Sequence, residues 1–88
     1  MNKERRTKIK INNKKIDQVK ELLELYKSEL ESIQMDEAFA FDSLPEGFQN
    51  GIRGDEMQDA IDEMEDAMEA IDKIIKELEE IKTNLTIL

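Results

Sequence analysis

The chain has no cysteine, no histidine and no tryptophan, and only one proline and three glycines in 88 residues. Without thiols there is no disulfide staple and no thiol nucleophile, and without imidazole there is no histidine base and no Cys/His zinc site. Aromatic residues make up 5% of the chain, so any interior must be mainly aliphatic. No apolar run approaches the roughly 20 residues of a spanning helix, and no membrane is expected as a partner. The N-terminus is basic but no long apolar stretch follows Lys10, so a secretory leader is not expected and the expected compartment is the cytoplasm.

What the chain has in excess is charge, at 40% of residues, on a background of helix-favouring Glu, Lys, Leu, Ile, Met and Ala. Its length allows one small domain, and the composition points to an all-α fold. The formal net charge of -9 hides a split by position. Residues 1–20 carry eight basic side chains against Glu4 and Asp17, a net of +6, and the other 68 carry 20 acidic and five basic ones, a net of -15.

Apolar residues recur at Ile16, Val19, Leu23, Tyr26, Leu30 and Ile33, alternating steps of three and four, which is the period of a helix burying one stripe. Leu22 widens the stripe. Ile9 lies a heptad before Ile16, but Ile11, Asn12 and Asn13 interrupt the pattern, so residues 1–13 are expected to form a basic, flexible arm and the first helix to span 14–41. Pro45 lacks an N–H and biases Leu44 away from helical geometry. A connector over 42–52 should hold one helical turn, opened by a capping box of Ser43 and Glu46 and closed at Asn50-Gly51. The second helix is expected over 53–84, starting either at Gly51 as N-cap or at an Asp55/Gln58 capping box.

The second helix has the stronger pattern. Met57, Ile61, Met64, Met68, Ile71, Ile75 and Leu78 form a continuous stripe, flanked every seventh residue by Ala60, Ala67, Ile74 and Ile81. Two amphipathic helices on a short connector fold back antiparallel, because each is the nearest apolar surface to the other. The second helix's face is wider than a two-stranded seam requires. Self-association is therefore expected, through Met57, Ile61, Met64, Met68, Ile71, Ile74, Ile75 and Leu78, with two hairpins forming a homodimeric four-helix bundle. The methionines fit this stripe better than an adaptable partner groove. Phe39, Phe41 and Phe48, with Leu44, are expected to cap the bundle end rather than to form an exposed hot spot.

Residues 55–72 contain nine carboxylates and no basic side chain. Acids four apart, such as Asp55/Asp59 and Asp62/Asp66, repel by a few tenths of a kcal/mol per pair, which invites a compensating cation. Asp59, Asp62, Glu63, Asp66 and Glu69 form a candidate acidic partner face. Their field is one that a phosphate-binding groove would accept, so an inhibitor that mimics nucleic acid is one alternative function. Lys3, Arg5, Arg6, Lys8 and Lys10 form a candidate basic arm, and binding of nucleic acid through it is another. That arm has no aromatic interleaving and the body is strongly acidic, so nucleic acid is not the leading partner. In an antiparallel dimer the arm of one copy would reach the acidic half of the other.

Catalysis is not expected. A carboxylate di-metal site in a bundle needs inward Glu-x-x-His pairs, the acids have helical and not EF-hand spacing, and Gly47, Gly51 and Gly54 follow no strand that could open a phosphate loop. No metal or cofactor is implied. The chemistry-bearing residues point instead to a non-catalytic interaction or assembly protein.

The connector carries a family resemblance. Ala40-Phe41-Asp42-Ser43-Leu44-Pro45-Glu46-Gly47-Phe48-Gln49, then Arg53-Gly54-Asp55-Glu56-Met57 and the acidic helix, resembles small helical proteins of phages, prophages and mobile elements of Gram-positive bacteria, which read AFDNLPESLQ, ERGE and AIDALEEAID. The likeness covers about half the chain, and its specific part is the connector. It departs at Gly51-Ile52, where those proteins carry a Ser-Glu pair. The resemblance implies a helical hairpin and a mobile-element setting, and no activity.

Overall fold

Why the helices begin and end where they do is clearest at their caps. In the computed structural model, which describes residues 1–88, the first helix α1 spans Lys3–Asp42 and is capped by Asn2, whose side-chain oxygen accepts from the Arg5 N–H at 2.9 Å. The expected flexible arm over 1–13 is thus corrected: these residues are helical almost from the start. Two asparagines in mid-helix cost only a few tenths of a kcal/mol each, and Ile9, a heptad before Ile16, returns to the inner side near Leu85, Ile87 and Leu88. Lys8 also pairs with Glu4 one turn back, at 3.6 Å.

The chain leaves α1 at Ser43, whose N–H and hydroxyl both donate to the Phe39 carbonyl, at 3.1 and 2.9 Å. The expected capping box with Glu46 does not form, because the Ser43 hydroxyl is committed to the helix behind it. A single turn, α2, follows over Glu46–Gln49 with Pro45 as N-cap. Helix α3 spans Ile52–Thr86 with Gly51 as N-cap and no side-chain cap. Of the two expected starts, the glycine is the one used, and Gln58 donates instead to Asp62 at 3.1 Å.

The chain is all-helical, and α1 and α3 pack against each other along a rod of 68 × 15 × 13 Å. The line of contact is heptad-phased. From α3 it takes Met57, Ile61, Met64, Met68, Ile71, Ile75 and Leu78, every one buried or half-buried, with Met68 and Ile71 the deepest at 7% exposure. From α1 it takes Ile9, Asn13, Ile16, Lys20, Leu23, Lys27, Leu30, Gln34 and Phe41. As far as Gln34, one α1 row (Ile9, Ile16, Leu23, Leu30) is therefore apolar and the next (Asn13, Lys20, Lys27, Gln34) is polar; nearer the connector the rows end in half-buried Glu37 and Phe41.

The connector is held by side chain and backbone together. Gln49 Nε2 donates to the carbonyls of Phe41 and Leu44 at 3.2 and 3.1 Å, tying α2 to the end of α1. Gly54 is buried where α3 starts against the Gln49 backbone, and a Cβ built there would stand 2.0 Å from the Gln49 carbonyl oxygen. Gly54 thus lies inside a helix, where its missing side chain permits close packing. Phe41 and Leu44 are half-buried, but Phe39 and Phe48 are 76% and 59% exposed. The expected aromatic cap is therefore only partly formed.

Candidate functional site: two unlike faces of the hairpin

The hairpin has one ionic face. Lys82 Nζ donates to Asp17 Oδ1 at 2.7 Å, Lys20 Nζ donates to Glu79, and Lys27 Nζ donates to both Asp72 oxygens at 2.8 and 3.0 Å. Gln34 Nε2 continues the series, donating to Glu65 at 3.0 Å and to the Ile61 carbonyl at 3.1 Å. From Lys20–Glu79 to Lys27–Asp72 to Gln34–Glu65, each heptad down α1 matches a heptad up α3. These groups fix the register of the two helices. Their signal was present in the sequence, as Lys20/Lys27/Gln34 and Glu65/Asp72/Glu79, each a heptad series that a search for apolar stripes passes over.

The hydrogen bonds to Glu79 and Asp72 raise the Lys20 and Lys27 ammonium groups above their ordinary pKa of 10.5, with nearby carboxylates adding to the effect against partial desolvation. A group whose pKa rises on folding stabilises the fold fully below its unfolded value and loses that contribution as pH climbs through the folded value. Thermal stability is therefore expected to fall above about pH 10.5, and a Lys20→Met, Lys27→Met variant should show a shallower alkaline fall in a circular-dichroism melting series. Identical alkaline slopes would remove these pairs from the account.

Turning Lys20, Lys27 and Gln34 over α3 has a cost on the other side of α1. The expected stripe is split: Ile16, Leu23 and Leu30 are half-buried against α3, whereas Val19, Tyr26 and Ile33 remain 44%, 56% and 56% exposed. On α3 the flanking row behaves alike, with Ile74 and Ile81 at 44% and 48% exposure and Ala60 and Ala67 half-buried. In an antiparallel pair, positions three residues after each helix's main seam position fall on the same side. The register then sets Val19 level with Ile81, Tyr26 with Ile74, Ile33 with Ala67 and Ala40 with Ala60. An apolar strip runs along the side of the rod away from the ion pairs.

Of the residues expected to self-associate, Met57, Ile61, Met64, Met68, Ile71, Ile75 and Leu78 lie in the seam with α1, and Ile74 stands on the open strip. The acidic candidates Asp59, Asp62, Glu63, Asp66 and Glu69 are all exposed and none is in an ion pair. Lys3, Arg5, Arg6, Lys8 and Lys10 are exposed at the far end of the rod. Lys3, Arg6 and Lys10 line a groove of about 480 Å³ with Thr7, Ile9 and residues 85–88, the end of α3 and the two residues after it. The acidic and basic groups are thus not brought together within one chain. No three acidic side chains converge as a metal site, and no helix is long and apolar enough to cross a membrane.

No family model, curated protein or solved structure matches this chain.

Proposed function

We propose that this protein is a non-catalytic assembly module that associates with a second copy of itself to complete a four-helix bundle. The observation that carries the reading is the strip of Val19, Tyr26, Ile33, Ile74 and Ile81, large apolar side chains aligned on one side of a rod whose opposite side is ionic. Isolated exposed apolar residues are ordinary, whereas an aligned strip on a small chain marks a contact surface. The mobile-element setting rests on the connector resemblance alone and assigns the assembly to phage or prophage biology.

Sedimentation equilibrium at micromolar concentration is expected to give twice the 10.3 kDa chain mass. Tyr26→Lys with Ile74→Lys should return the mass to that of one chain while leaving the helical spectrum in place. Burying two charges on each strip in place of two large apolar groups removes at least about 3 kcal/mol per dimer, or about a hundredfold in affinity. A wild-type monomer would overturn the reading.

A second reading has its own support. Asp55, Glu56, Asp59, Asp62, Glu63, Glu65, Asp66, Glu69 and Asp72 are all exposed, and of these only Asp72 has an ion-pair partner. Such a face suits a basic, phosphate-binding groove, and the chain would then act as a nucleic-acid mimic. The two readings separate by mutation: Asp/Glu→Asn/Gln changes over 59–69 abolish a mimic's binding and leave apolar assembly intact. The third reading, nucleic acid held by the basic end, requires full-length protein to retard a duplex at low salt.

A further inference from the structure

We infer that the second copy docks on the Val19–Tyr26–Ile33 and Ile74–Ile81 strip in one orientation only, antiparallel, about a twofold axis crossing the rod at the level of Tyr26 and Ile74. This rests on the assembly reading and adds the geometry of the contact. Charge selects the orientation. Residues 27–73, which form the connector half of the rod, carry 15 acidic and three basic side chains, a net of -12. The remaining residues, which form the open half, carry seven acidic and ten basic ones, a net of +3. Parallel rods would set each acidic half against its own copy, whereas antiparallel rods set each against the basic half of the other.

Shape agrees with charge. A twofold axis in the plane of the contact and perpendicular to the rod lays α1 over its copy and α3 over its copy. With the axis at Tyr26 and Ile74, the middle of the strip, Tyr26 and Ile74 each meet their own copy. Val19 then meets Ile33, and Ile81 meets Ala67, so larger side chains on α3 oppose smaller ones. Lys15, which has no ion-pair partner within its own chain, lies on the row flanking the strip and comes level with Asp36 of the other copy, an exposed acid on the same row. In the parallel arrangement, by contrast, the axis runs along the rod and lays α1 over the partner's α3. Tyr26 would then meet Ile74.

The absence of native cysteine makes the test direct. Single Tyr26→Cys protein, mildly oxidised at micromolar concentration, is expected to form a disulfide dimer in high yield. An equimolar mixture of Val19→Cys and Ile33→Cys chains should give the mixed dimer in at least fivefold excess over either self-linked one. Raising salt from 0.05 to 0.5 M should weaken association about tenfold, since the orienting charges are exposed and screened. Preferential linking of Tyr26→Cys with Ile74→Cys chains, with little self-linking of Tyr26→Cys, would establish the parallel arrangement and overturn this inference while leaving assembly standing. A monomer by sedimentation would overturn both.

Discussion

Gly54→Ala is expected to lower the melting temperature by more than 10 °C, although alanine is the better helix former by about 1 kcal/mol. The added Cβ would stand 2.0 Å from the Gln49 carbonyl oxygen and 2.5 Å from its carbon, both backbone atoms that no rotamer change can move aside. Relief requires α2 to shift away from α3, and Gln49 is also the residue whose side chain bonds to the Phe41 and Leu44 carbonyls. Forced overpacking typically costs 1–3 kcal/mol and occasionally more. With backbone on the far side of the contact we expect about 3 kcal/mol, and at about 4–8 °C per kcal/mol for a domain of this size the shift exceeds 10 °C. Gly47→Ala is the control, because nothing lies within 4 Å of a Cβ there. Thermal unfolding of both variants decides the matter, and equal midpoints would show that α2 moves freely against α3.

Ile71→Ala should cost about 2–4 kcal/mol, and Met68→Ala a similar amount, because these side chains are the most buried apolar groups in the chain at 7% exposure each. A rod only two helices wide has no second layer to close over the cavity. Leu25→Ala, on a side chain 56% exposed, should change stability by no more than about 0.5 kcal/mol. Melting curves must be compared at one protein concentration, since association through the apolar strip would make the midpoint depend on it. If Ile71→Ala were as mild as Leu25→Ala, the seam would not be what holds the hairpin closed.

The heptad stripe of α3 was fully legible: Met57 through Leu78 could be read as an inner face, and each of those residues is buried or half-buried. The second helix's bounds differ from expectation only at the ends, Ile52–Thr86 against 53–84. The start of α1 was not legible from apolar spacing, because Asn13 sits at a seam position and breaks the pattern while still being buried. Asn2 was the signal that a search for apolar repeats missed, a capping side chain placed just ahead of the helix. At the connector, the spacing of Ser43 and Glu46 suggested a reciprocal cap, but the hydroxyl had a nearer acceptor in the Phe39 carbonyl. Local motifs compete with the helix that precedes them, and spacing alone cannot say which acceptor is closer.

What the sequence determined by itself was the pair of amphipathic helices, their antiparallel return across Pro45 and the division of charge between the ends. Each follows from local rules: periodicity fixes a face, proline stops a helix, and the order of charges along the chain is carried into a rod unchanged. What only the tertiary structure decided was the rotation of α1 about its own axis. The apolar row Ile16, Leu23 and Leu30 can be flanked at the seam by either neighbouring row, Val19, Tyr26 and Ile33 or Lys20, Lys27 and Gln34. The structure uses the second, because those groups find Glu79, Asp72 and Glu65 on α3. That choice depends on residues far apart in the chain, and it leaves the row of Val19, Tyr26 and Ile33 exposed.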